Sequence, residues 1–177
     1  MHRIIIDIDN TLWYFAPVLY ERMKRVNPHT APMSEWRSFD FWKEYISPRT
    51  FYEIIKGIHM DQEQFVPFPD ARPFLASLKA LGLHITIASH REKGTLGATV
   101  NWLNNNRLIF DDVHLSNDKS VLFDECQAIV DDSPFVLDKA ARAGIIGSGL
   151  RMPWNDKGGY TLFDTLPEVL CYLRGQV

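Results

Sequence analysis

Four short clusters along the chain hold the residue types of a charged reaction centre. Asp7, Asp9 and Thr11 stand in "DIDNT", and Ser89, His90 and Arg91 follow one another. Lys119 stands in "NDKS", and Asp131 and Asp132 open "DDSP". Four ionised carboxylates gathered in one place repel, and their pKa values rise unless something compensates them. A hard divalent cation does so. Mg²⁺ usually takes a few carboxylates and fills its other positions with water and phosphate oxygens. Lys119 and Ser89 suit those phosphate oxygens, one as a charged donor and one as a neutral donor. The chemistry implied is metal-assisted phosphoryl transfer, where positioning and charge neutralisation dominate.

Such a centre forms only if the fold brings the clusters together. Each of the three acidic or hydroxyl clusters ends an apolar run that reads as a buried strand: "RIIID" from Arg3, "LHITIAS" over 83–89 and "QAIVDD" over 127–132. Weaker runs lie at 112–116 ("DVHLS") and 144–150 ("GIIGSGL"). Helical patterns separate them. Those starting at Asp70 and Ser133 have an N-terminal cap residue, an early proline and a closing glycine. Another, over 94–106, carries Leu96, Val100 and Leu103 on one stripe, and the last runs from Leu166 to Gly175. Strands alternating with helices predict an α/β fold, a doubly wound parallel sheet whose strand ends share one rim. Asp7 and Asp9, two residues apart, face the same side of an extended chain, and Ile8 faces away.

The stretch 15–69 breaks the rhythm. It has no convincing strand and is dense in aromatics, among them Trp36, Phe39, Phe41, Trp42, Tyr45, Phe51 and Tyr52. We read it as a small helical cap inserted after the first strand, with 1–14 and 70–177 as the core. Its aromatics line a pocket for an apolar leaving group or form the cap's own core, and we favour core for most of them.

The 177 residues suit one domain with a modest insertion. A net charge of -3 argues against a nucleic-acid polymer or an anionic membrane as partner. No apolar run has membrane-spanning length. The N-terminus carries no signal-peptide pattern, so a cytoplasmic protein is expected. Cys126 and Cys171 are expected to be buried thiols. The pattern sets no oligomeric state.

"DIDNT" resembles the D-x-D-x-T signature of the haloacid dehalogenase-like (HAD) phosphohydrolases. A strand ending in Ser89, then Lys119, then "VDDSP" follow in that superfamily's order. The resemblance covers the chain apart from the insertion, and it implies a Rossmann-like core. The course "NDKS … IVDDSP … MPWN", from Asn117 to Asn155, is similar to the 5'(3')-deoxyribonucleotidase-like group. The resemblance implies a Mg²⁺-dependent phosphomonoesterase acting on a small phosphorylated substrate, a nucleoside monophosphate under the finer similarity. Asp7 would be the nucleophile that forms an aspartyl-phosphate. Asp9 would be the acid/base, its backbone carbonyl also on the metal. Thr11 would brace the loop. Ser89 and Lys119 would hold phosphoryl oxygens. Asp132 would ligate the metal together with Asp7 and Asp9, while Asp131 acts through water; these two could exchange roles.

His90 and Arg91 could touch substrate or simply shape a loop. Asn155, in "MPWN", could shape the rim of the site or simply make a turn, and we favour the turn. His59, His84 and His114 show no ligand spacing and are assigned no chemistry. Other readings of the same residues are a dehalogenase, a phosphomutase, or a phosphatase for sugar phosphates or phosphoproteins. "TLW" at 11–13 is shared with a magnesium-dependent phosphatase group. A phospho-accepting receiver domain has a similar inventory in a different order, and a silent binding module would not need every catalytic side chain. No glycine-rich dinucleotide or P-loop pattern is present.

Overall fold

The structure, a computed structural model, describes residues 2–176. The first strand, β1 (Arg3–Ile6), lies at the centre of a six-stranded sheet. β2 (His84–Ser89), β3 (Asp112–Leu115), β4 (Cys126–Val130), β5 (Ile146–Leu150) and β6 (Leu162–Phe163) complete it. The order is β3-β2-β1-β4-β5-β6 and every pairing is parallel. The expected doubly wound α/β sheet is present. The order reverses between β1 and β4, so the crevice for a ligand opens beyond the C-terminal ends of those two strands. It also differs from the 2-1-3-4-5 order of flavodoxin-like signalling receivers, which counts against the receiver reading.

Ile4, Ile5 and Ile6 are fully buried because helices cover both faces of the sheet. Ile4 and Ile6 pack into one hydrophobic cluster with residues of α3 (Ala71–Ala80) and α6 (Leu166–Arg174), including Leu75, Leu78, Val169 and Leu173. Ile5 faces the other way, toward Ile129, Val136 and Ala140, the last two on α5 (Pro134–Arg142). Ile8 stays in the first cluster, as the alternation requires.

Between β1 and α3 the described residues hold helices only: α1 (Phe15–Val26), α2 (Pro48–Met60) and short 3-10 turns at Met33–Glu35, Phe41–Glu44 and Gln62–Gln64. Trp36, Phe41, Trp42 and Phe51 are buried in the same cluster as Ile4 and Ile6. The insertion therefore shares its apolar interior with the sheet.

Three details differ from the sequence expectation. β6, two residues long, is too short to carry a periodic signal. In α4 (Leu96–Asn105) the buried side is Thr99, Trp102 and Leu103, and Leu96 is exposed. Leu103 of the expected stripe is buried, and the Trp102 indole N–H, also on the buried side, donates to the Phe65 carbonyl at 2.7 Å. Cys126 is half-buried and Cys171 exposed, both as free thiols. Among the described residues no helix is long and apolar enough to cross a membrane.

Candidate active site

The four polar clusters converge at the sheet's C-terminal rim and line one cavity of about 620 Å³. Asp7 directly follows β1, and its backbone N–H donates to the Val130 carbonyl at 2.9 Å. That ladder bond fixes Asp7 beside Asp131 and Asp132, which follow β4. Gly149 makes this possible on the far side. A Cβ built there would stand 2.0 Å from the Asp131 carbonyl oxygen, so only glycine lets β5 come this close.

Lys119 is buried and bridges two acids, its ammonium 2.5 Å from Asp7 Oδ1 and 2.6 Å from Asp131 Oδ2. Burial works against its charge, but the Asp131 and Asp7 carboxylates outweigh it and raise its pKa. Asp131 Oδ1 accepts from the Ser133 N–H at 2.9 Å, so both Asp131 oxygens are taken. Asp132 Oδ2 accepts from Asn10 Nδ2 at 2.9 Å. Asn155 is buried, and its Nδ2 donates to the backbone carbonyls of Asp132 and Leu150, each at 3.0 Å. It also forms the turn expected of it, its Oδ1 accepting from the Met152 N–H at 2.8 Å.

Three carboxylates with one ammonium leave negative charge in a dry place. Asp7 is raised to about 6, chiefly by burial and then, against the opposing pull of Lys119, by Asp131 and Asp9. Asp132 is raised well above the carboxylate range by burial, with Asp7 and Asp131 adding to it. Asp7, Asp131 and Asp132 each offer a carboxylate oxygen within 4.8 Å of the others. Among the described residues Asp7 and Asp132 each keep one oxygen without a partner. An all-oxygen donor set carrying surplus negative charge fits a hard divalent cation.

Asp9 lies in a different setting. Its Oδ1 accepts from Arg91 Nη2 at 2.5 Å and Trp13 Nε1 at 2.9 Å. Its Oδ2 meets His59 Nε2 at 3.0 Å, Arg91 Nε at 3.3 Å and Ser89 Oγ at 3.4 Å. Burial alone would raise this carboxyl, but Arg91 and His59 hold it far below the usual range. Arg91 is itself held by Thr99 Oγ1, at 3.0 Å. Thr11 is completely buried, and its hydroxyl has no hydrogen-bond partner. His90 lines the cavity next to Ser89.

The sequence marks Asn155 as a turn residue that could also shape the rim, but it gives no site signal for Asn10, His59 or Gly149. His59, on α2, has no spacing relation to Asp9, and only the tertiary fold reveals it. Asn10 stood inside the quoted motif, and its left-handed backbone (φ 57°) is a conformation that asparagine tolerates better than most residues.

Above the acids the wall is aromatic. Trp36 stacks on Phe41 with centroids 3.6 Å apart, and Trp42 stacks on Phe51 at 4.0 Å. Trp154 lies 6.1 Å from Trp36, and its indole N–H is buried without a partner. These rings belong to the core and also face the cavity.

No family model matches the chain, and no curated protein matches it. Solved structures do. A predicted phosphoglycolate phosphatase from Haemophilus somnus aligns with a TM-score of 0.68 at 14% identity over 98% of each chain. L-2-haloacid dehalogenase from Xanthobacter autotrophicus, with chloropropionic acid covalently bound, aligns at 0.63 and 14% over 100% of each. CbbY from Rhodobacter sphaeroides, in complex with phosphate, aligns at 0.62 and 15% over 96% of each. Along its whole length, then, the chain has the α/β fold of the haloacid dehalogenase-like proteins.

Proposed function

We propose that this protein is a phosphomonoesterase that works with Mg²⁺ and passes through a phosphorylated Asp7. The observation that carries this reading is the unpartnered Asp7 oxygen, in a cluster of buried acids with a single lysine, on a cavity large enough for a small phosphate ester. Residues 15–69 act as the cap and 1–14 with 70–177 as the catalytic core.

Asp7 and Asp132, with the Asp9 backbone carbonyl, would hold the cation, and Asp131 supports the cluster through Lys119. When bound, the cation would offset the charge of the carboxylates and the phosphoryl oxygens and would bring Asp7 back down from about 6. Asp7 attacks phosphorus, the bond to the leaving oxygen breaks, and water then cleaves the acyl phosphate to release inorganic phosphate. Lys119 and Ser89 steer the phosphoryl oxygens. Asp9 transfers the protons. A carboxylate held as low as Asp9 exchanges protons poorly at neutral pH. Its role therefore requires an arriving substrate to loosen the grip of Arg91 or His59.

The paired aromatic stacks and the unpartnered Trp154 N–H favour a flat leaving group that carries a hydrogen-bond acceptor. Nucleoside monophosphates meet that description. A panel of phosphate esters assayed for released phosphate tests the reading. Preference for deoxyribonucleoside monophosphates supports the finer assignment. Preference for sugar phosphates or phosphoproteins overturns it and leaves the phosphatase in place. No turnover of any ester with Mg²⁺ present overturns both.

A further inference from the structure

The side chain of Asn10 joins two parts of the molecule that otherwise belong to different functions. Its Nδ2 donates to Asp132 Oδ2 at 2.9 Å, and its Oδ1 accepts from the Ala16 N–H at 2.8 Å. Asn10 is buried, so neither bond is shared with solvent. Ala16 lies in the first turn of α1, where backbone N–H groups have no partner within the helix. The residue in the capping position, Tyr14, supplies no side-chain bond. By contrast, α6 has a full capping box from Thr165 and Glu168. Asn10 thus caps α1 from outside the helix, five residues before its first residue, Phe15.

α1 in turn forms part of the cavity wall through Phe15, Ala16 and Leu19. One amide group therefore spans from a carboxylate of the acidic cluster to the helix that shapes the substrate space. A primary amide can serve both ends because it has a donor and an acceptor on one rigid plane. The left-handed φ at Asn10 aims it, at a position where few other residues are tolerated.

We infer that Asn10 is a positioning residue that couples divalent-cation binding at Asp132 to the seating of α1 over the cavity. This rests on the proposed cation site. Cation binding fixes the Asp132 carboxylate, a fixed Asp132 holds the Asn10 amide, and the amide holds the first turn of α1. Linkage makes the effect reciprocal: whatever seats α1 also tightens the cation. Loading the site with metal thereby prepares the wall on which the leaving group rests.

The test combines Mg²⁺ titration calorimetry with amide hydrogen exchange, both on the full chain without substrate. In the native protein Mg²⁺ is expected to slow exchange at the Ala16 amide and the following turn by about 5-fold or more. In Asn10→Gly, which tolerates the backbone conformation, Mg²⁺ is expected to bind about 10-fold more weakly and to leave exchange in α1 unchanged. Asn10→Asp keeps the acceptor for Ala16 but not the donor to Asp132. It should retain α1 protection without metal and lose the response to Mg²⁺, and it decides the matter alone if Asn10→Gly does not fold. A native-sized exchange response in either variant overturns the coupling. So does native Mg²⁺ affinity in Asn10→Gly. Absence of Mg²⁺ binding by the native protein overturns the cation site as well, which separates the two failures.

Discussion

Asp7 and Asp9 are two residues apart at the mouth of one strand, yet they occupy opposite electrostatic regions. On the Asp7 side three carboxylates share one ammonium, and burial pushes Asp7 and Asp132 upward. On the Asp9 side a single carboxylate is gripped by a buried guanidinium, an imidazole, an indole N–H and a hydroxyl, and is pulled far down. The first region carries three carboxylates against the single Lys119 ammonium and is suited to receive further positive charge. The second is already compensated and gains no further stabilisation from a cation. Divergent environments of this kind separate the roles of neighbouring acids. Under the proposed function they would divide a nucleophile and cation site from a proton-transfer site within one loop.

Substitutions can break each region separately. The largest effect is expected from Asp132→Asn. It removes a free ligand oxygen, so Mg²⁺ affinity measured by calorimetry should fall by more than about 100-fold, beyond the loss typical of groups that only support a ligand. The same change relieves repulsion, so the metal-free protein should melt at a higher temperature than the native one at pH 7. A lower melting temperature in chelator would show that the cluster is already compensated.

Arg91→Gln attacks the other region. Removing the guanidinium raises the Asp9 pKa, and the acidic limb of the pH–rate profile should move to higher pH. Arg91 also aligns Asp9 through two bonds, and loss of that alignment is expected to outweigh the raised pKa and lower kcat roughly 10²-fold, at the low end for a positioned acid–base group. Mg²⁺ affinity should stay native, and a large drop in it would mean that the two regions are not separate.

The third expectation concerns stability without metal. Asp7 has a folded-state pKa of about 6 against an ordinary value of 3.8. The folded state therefore holds a proton that the unfolded chain releases between those values. That contribution is complete below pH 3.8 and is lost as pH rises through about 6. In chelator, Asp7 alone should account for a decline on the order of 2 kcal/mol across this window. Asp132, also raised, adds to it, and saturating Mg²⁺ should abolish the decline. Chemical denaturation at pH 4, 5, 6 and 7 measures it.

The smallest effect on the site's chemistry is expected from Gly149→Ala, which forces β5 away from the Asp131 carbonyl. It should cost about 1–3 kcal/mol by denaturant titration, as overpacking does. It should also weaken Mg²⁺ binding while leaving the Asp9-dependent limb of the pH profile in place.

The Asp7 region was legible in the sequence because its parts sit at strand ends. Runs such as "RIIID" and "QAIVDD" declare both the strand and the acids that finish it, and parallel topology then brings the ends together. The Asp9 region was much less legible. Arg91 was noticed only as the neighbour of Ser89, and His59 reaches Asp9 from 50 residues away on a helix whose spacing says nothing of its target. Gly149 lies in an ordinary-looking strand run, and its necessity is visible only against the Asp131 backbone. Helix faces are only partly legible, as in α4, where Leu103 is buried as its spacing implies but Leu96 is exposed and Trp102 buried.

The central claim, that Asp7 is a nucleophile working with a cation held by the acidic cluster, is tested most directly by phosphate release from the best ester of the panel. The native protein and Asp7→Asn should be compared with Mg²⁺ and with excess chelator. Turnover is expected only for the native protein with Mg²⁺, with Asp7→Asn slower by at least about 10³-fold and still folded by circular dichroism. Native-like turnover by folded Asp7→Asn, or by the native protein in chelator, would contradict it.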